Sequence, residues 1–208
     1  HVDGGKTTLS ESVLYLTGKI RKLGRVDHKD AYLDNFQMER DRGITIFSKQ
    51  AVFEYKDMEV TLLDTPGHVD FSTEMERTLQ VLDYAVLLVS ASDGIQGHTE
   101  TLWKLLARYQ IPTFIFVNKM DMPNVSGDFV LHELKEKFGD NIVRFQGDVG
   151  ILEDIAMTDE NVLEEYMETG NISQETITEL IFGRKLFPCY FGAALKLVAR
   201  TAAFRLRA

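Results

Sequence analysis

A chain of 208 residues that is 44% hydrophobic and 26% charged can bury one core with room for an insert. Its longest apolar runs, such as YAVLLVSA (84–91), are strand-length and exclude a membrane-spanning helix. The net charge of −9 excludes a surface adapted throughout to DNA or RNA, though not docking on a large ribonucleoprotein through a local patch. A single cysteine, Cys189, excludes an internal disulfide, fits a reducing cytoplasm and reads as a small buried strand residue.

The chain opens on HVDGGKTT (1–8), the second half of a G-x-x-x-x-G-K-[ST] phosphate loop. Counting back from Lys6, the first glycine position falls one residue before His1, and the strand that delivers such a loop is expected to be absent from this chain. That strand would be central, with neighbours on both sides. A helix follows Lys6, with Leu9, Val13, Leu16 and Ile20 on one stripe. The polar run 24–46 is long for a structureless connection, and loops of that length are either functional or disordered. QAVFEY (50–55) and MEVTLLD (58–64), separated by Lys56-Asp57, read as an antiparallel hairpin. Helices near 70–82, 98–110 and 126–138 then alternate with strands 84–91 and 112–118, and a last strand lies at 186–192. Alternation of this kind implies a mostly parallel α/β sheet with helices on both faces. Residues 140–186 interrupt it with eleven acidic against three basic residues; they read as an inserted subdomain. The expected organisation is a nucleotide-binding domain over 1–139 and 187–197, the acidic insert over 140–186, and an atypical tail over 198–208.

Ligands of such sheets bind at the carboxyl ends of the strands, where four short motifs fall. Gly4 and Gly5 offer backbone N–H groups at a helix N-terminus, Lys6 reaches the β- and γ-phosphates, and the Thr7 hydroxyl can ligate Mg²⁺. In DTPGH (64–68), Asp64 is placed to hold the Mg²⁺ shell through water. Gly67 lets backbone approach a γ-phosphate, and His68 can orient a water. In NKMD (118–121), the Asp121 carboxylate can accept from guanine N1–H and the 2-amino group; adenine presents no such pair. Asn118 can brace the loops, and the Lys119 stem can lie along the ring. GAAL (192–195), with Ala193 and Ala194, can offer N–H groups to guanine O6. Four motifs in this order point to a guanine-nucleotide site. Thr45, in RGITI, can then supply its hydroxyl to Mg²⁺ and its N–H to the γ-phosphate, so that hydrolysis releases the long loop. Arg40 and Arg42 face either solvent or phosphate.

HVDGGKTTLSE, ERDRGITI, DTPGHVDF and NKMD resemble the G domain of translational GTPases of the elongation factor G group. The longer runs LYLTGKIRKLGRVD and LLDTPGHVDFSTEMERTLQVLDYAVLLVSASDGIQGHTETLW look nearest to the tetracycline-resistance ribosomal protection branch. The resemblance covers residues 1–197. It implies a P-loop fold, GTP hydrolysis to GDP and phosphate, Mg²⁺, a cytoplasmic monomer and a ribosomal partner engaging through its sarcin–ricin RNA loop and its proteins. It places Asp3, Lys6, Thr7 and Thr8 in the phosphate loop and Thr45 and Gly67 at the γ-phosphate. By the same resemblance Val2 and Ile44 match the apolar pair that flanks the family's catalytic histidine, which His68 matches. Ala193 stands where the family usually carries serine, and the tail does not resemble the family's closing helix. The alternative is a truncated module that binds a ribosome or other partner without hydrolysis.

Overall fold

The computed structural model describes residues 3–24, 31–33, 48–66, 72–146 and 150–196. Helix α1 (Lys6–Leu16) precedes a hairpin of β1 (Lys49–Tyr55) and β2 (Met58–Asp64). The two strands pair antiparallel from Lys49↔Asp64 to Tyr55↔Met58, so Lys56 and Asp57 alone make the turn. Lys56 sits at φ 53, the left-handed geometry such two-residue loops require.

After α2 (Ser72–Leu79) come β3 (Ala85–Ser90), α3 (Gly97–Arg108), β4 (Thr113–Asn118), α4 (Gly127–Phe138) and β5 (Ile142–Arg144). Three helices follow, α5 (Ile151–Ala156), α6 (Glu160–Thr169) and α7 (Gln174–Phe182), then β6 (Phe187–Phe191) and a 3₁₀ turn at Ala194–Lys196. The main sheet has the order β3-β4-β6-β5, and every pair in it is parallel. The fold is therefore mixed α/β, a four-stranded parallel sheet beside a small antiparallel one, as the alternation of elements predicts.

Apolar side chains on alternate strand positions explain the layers. One face packs Val89, Ile115, Val117 and Cys189 against Val130 and Leu134 of α4, with Trp103 of α3 beside them. The other face packs Leu88, Phe116 and Tyr190 against Leu9 of α1. Cys189 is fully buried, in the strand role its sequence suggests.

Two features depart from simple periodicity. Helix α1 ends at Leu16, which is exposed, while Leu14, off the expected stripe, is completely buried. The reason is that α1 is enclosed on several sides. Val13 and Leu14 meet Ala51 and Phe53 of the hairpin, Glu11 accepts the Leu33 N–H at 2.9 Å, and Ser12 donates to Ala194 O at 2.9 Å. The second feature is β5. These three residues open the acidic 140–186 stretch, yet pair with β6 in the main sheet. Beyond them, Ile155, Val162, Ile172 and Leu180 of the helical part form a core continuous with Val143 and Leu186. Asp159 and Ser173 cap α6 and α7 by accepting the Asn161 and Thr176 N–H groups. Among the described residues no helix is long and apolar enough to cross a membrane.

Candidate functional site

The site forms where α1 begins and where β2, β4 and β6 end. Gly5 is the N-cap of α1 at φ 86, a conformation that favours glycine. With no side chain on Gly5 to cap the helix, the first-turn N–H groups are presented to an anion. Lys6 follows, half-buried. Burial lowers its ammonium pKa, while the Asp64 and Asp3 carboxylates pull the other way; all three charges share one neighbourhood. Thr7 Oγ1 donates to Asp64 Oδ2 at 2.7 Å across 57 positions of sequence. Both residues are buried.

A hydroxyl and a carboxylate brought together this way are hard oxygen donors. The pair fits Mg²⁺, which takes one or two protein oxygens and fills its octahedron with water and phosphate. Among the described residues no group of three or more His, Cys, Asp or Glu forms a metal cage.

The other end of the site is organised by Asn118, the last residue of β4 and only 4% exposed. Its Nδ2 donates to Gly4 O at 2.9 Å, and its Oδ1 accepts the Ala194 N–H at 2.8 Å. One amide thus ties the phosphate loop to the turn that follows β6. Ser12 reinforces the junction by donating to both Thr8 O (2.8 Å) and Ala194 O (2.9 Å). The Met120 N–H donates to Gly192 O at 3.1 Å, fixing NKMD against GAAL. Lys119 takes φ 64, and its Nζ lies 3.6 Å from Asp93. Asp121 pairs with Lys196, whose Nζ stands 2.9 Å from Oδ2. That contact holds the Asp121 carboxyl below the usual carboxylate range.

The residues expected from sequence therefore fall into two linked groups. Lys6, Thr7 and Asp64 form the first, with Asp3 exposed at the loop and Thr8 on the first turn of α1. Asn118, Lys119 and Asp121 form the second, with Ala193 and Ala194 both buried beside them. Gly4 and Gly5 join the two groups through Asn118. Val2, Arg40, Arg42, Ile44, Thr45, Gly67 and His68 lie outside the described residues, as does the tail from 198.

Sequence reasoning missed Ser12, Asp93, Lys196 and the buried Glu11. Lys196 directly follows GAAL, which is the one available signal. Ser12 and Glu11 sit on the expected polar side of α1, and nothing in their spacing marks them.

A family model described as the elongation factor Tu GTP binding domain matches residues 1–203. The tetracycline resistance protein TetO of Campylobacter jejuni is 40% identical over 212 residues, covering 93% of this chain and 33% of that protein. Elongation factor G 1 of Treponema denticola is 45% identical over 152 residues, 72% of this chain and 22% of that protein. The mitochondrial ribosome-releasing factor 2 of Danio rerio is 46% identical over 150 residues, with 72% and 20% covered. The chain thus spans a third or less of the length of these relatives. A solved structure from Thermus thermophilus shares the fold, with a TM-score of 0.80 at 24% identity over 96% of this chain and 38% of that one.

Proposed function

Because this chain belongs to the elongation factor Tu GTP-binding domain family, we propose that it binds guanine nucleotide with Mg²⁺ and hydrolyses GTP to GDP and phosphate. On this reading it serves a ribosome-dependent translation factor of the elongation factor G or tetracycline-protection kind. The supporting observation is the Asn118 bridge, which ties the GGKT loop, NKMD and GAAL together.

The roles follow from charge and position. The α1 N-terminus and Lys6 hold the β- and γ-phosphates. Thr7 and Asp64, joined at 2.7 Å, would hold Mg²⁺ together with Thr45, and the ion would neutralise charge developing on the phosphate oxygens. Asp121 accepts the guanine N1–H and 2-amino hydrogens. Adenine would leave that carboxylate unpaired, at a cost that rejects it. His68 orients the attacking water, and Thr45 and Gly67 register the γ-phosphate. Phosphoryl transfer depends chiefly on positioning and charge stabilisation, so a partner that orders His68 would accelerate it; the partner proposed is the ribosome, through its sarcin–ricin RNA loop and its proteins. The protein acts as a cytoplasmic monomer and binds neither DNA nor membrane.

The test compares GTP with ATP by calorimetry, then ribosome-stimulated turnover in His68→Ala. GTP should bind at least about a hundredfold tighter than ATP. His68→Ala should lose most stimulated turnover while keeping nucleotide affinity. ATP binding as tightly as GTP would remove the role given to Asp121, and equal losses of turnover and affinity would remove that given to His68. Multiple-turnover hydrolysis with ribosomes rules out the non-hydrolysing module.

A further inference from the structure

Guanine presents two donors to a carboxylate, N1–H and the 2-amino group, and the Asp121 carboxylate already has a charged partner. Lys196 Nζ stands 2.9 Å from Oδ2. We propose that Lys196 is a specificity-determining residue that competes with the guanine base for the Asp121 carboxylate, so that base entry exchanges an internal ion pair for base contacts. This rests on the guanine-binding reading above.

Three observations make the pair more than a chance surface contact. Lys196 closes the 3₁₀ turn 194–196, its N–H donating to Ala193 O at 3.1 Å. That turn is pinned at Ala194 by Asn118 and Ser12, through buried hydrogen bonds of 2.8 and 2.9 Å. The stem of Lys196 thus starts from a fixed point beside the base loop. Asp121 is fixed from its own side, where the Met122 N–H donates to Lys119 O at 3.1 Å and the Met120 N–H to Gly192 O at 3.1 Å. The nearer lysine in sequence, Lys119, is engaged elsewhere, with Asp93. Finally, the Lys196 side chain is 59% exposed and that of Asp121 23% exposed. The ammonium can withdraw into water while the carboxylate stays in place, which is what an exchangeable partner requires.

The consequence is peculiar to the base. Inosine nucleotides carry N1–H and lack the 2-amino group, so they ask for one carboxylate contact where guanine asks for two, and a competing ammonium costs them less. Removing the ammonium should therefore help guanine more than hypoxanthine.

The experiment measures GDP and IDP affinities of the full chain by fluorescence competition in wild type, Lys196→Met, Asp121→Asn and the double variant. Lys196→Met should tighten GDP by about two- to fivefold, the range for exposed ion pairs, and change IDP by less than that. In the Asp121→Asn background the same substitution should have no effect on either. An unchanged GDP/IDP ratio, or weaker GDP binding, overturns the proposal. Asp121→Asn with undiminished guanine affinity would instead sink the base-reading assignment itself, so the two failures are distinct. Raising KCl on the wild type gives an independent reading that needs no substitution. Salt screens the ion pair, so the preference for GDP over IDP should rise with it; a flat preference counts against the competition.

Discussion

Replacing Gly5 by alanine tests the hub of the site directly. A Cβ built on Gly5 would lie 2.5 Å from Asn118 Nδ2, and Gly5 has φ 86. The backbone conformation alone costs an alanine about 1–2 kcal/mol. The clash falls on a side chain that has no slack, because Asn118 is 4% exposed and both ends of its amide are engaged, at 2.9 and 2.8 Å. Pushing it aside leaves the buried Gly4 carbonyl and Ala194 N–H without their partner, at about 1–3 kcal/mol each. Taking the lower part of those ranges, Gly5→Ala should destabilise the chain by about 3–5 kcal/mol, a large share of a typical domain's total. Urea denaturation of wild type, Gly5→Ala, Asn118→Ala and the double variant separates the terms. With Asn118 truncated there is nothing left to strike, so Gly5→Ala should then cost only the backbone portion, about 1–2 kcal/mol, and the two substitutions should be clearly non-additive. Strict additivity, or a Gly5→Ala cost below about 1 kcal/mol, would refute the claim that Gly5 is glycine because Asn118 must pass beside it.

Two other perturbations probe the scaffold. Burial pushes the Cys189 thiol up to about 12, and burial with the neighbouring Cys189 pushes the Tyr190 phenol to about 12. Their ordinary values are 9.0 and 10.0, so the unfolded chain releases these protons first. The stability they contribute is complete below about pH 9 and is lost as pH rises towards 12. Urea midpoints should fall between about pH 9 and 11, less steeply in Tyr190→Phe; a midpoint that stays level would contradict this. Arg184 donates through Nη1 to Ile111 O and to Thr113 Oγ1, and its guanidinium lies 5.0 Å from the Phe187 ring centre and 5.5 Å from that of Trp103. Arg184→Ala should cost about 2–3 kcal/mol, and Arg184→Lys should recover only part, because an ammonium neither stacks nor forks. Equal recovery by lysine in thermal melts would reduce Arg184 to a point charge.

Much of this architecture was legible because local chemistry and global fold agree. Lys56-Asp57 sits between two alternating runs, and the hairpin turns there. The strands ending at Asp64 and Asn118 end where the motifs begin, since loops that carry chemistry follow buried strands in a parallel sheet. The strand Ile142–Arg144 was not legible. Three residues are too few to show a period of two, and its reason to be a strand is β6, which lies more than 40 positions later. The inner face of α1 was hidden for a similar cause. Ser12 and Glu11 are polar, and polar residues on a helix read as its solvent side. Here they are buried because each has a specific partner, Ala194 O and Leu33 N, that no local pattern announces. Lys196 was passed over for the opposite reason: its place directly after GAAL was a signal, but a lysine after a glycine-alanine turn looks like ordinary surface.

The arrangement also explains why the hub is neutral and the rim is charged. Position 118 must accept from one backbone N–H and donate to one backbone carbonyl at once, inside the protein. An amide is the small side chain that does both. Aspartate there would turn an acceptor towards the Gly4 carbonyl and bury a charge, and lysine would offer no acceptor to Ala194. Asn118 therefore makes bonds meant to persist, in a place water does not reach. Asp121 and Lys196 sit at the more exposed edge, where water lowers the cost of separating opposite charges. If the pair is exchanged for a base, as proposed, that edge is where such a contact belongs. Moving the ion pair to the interior would make any exchange slow, and moving the amide to the rim would let water loosen the junction of Gly4 with Ala194.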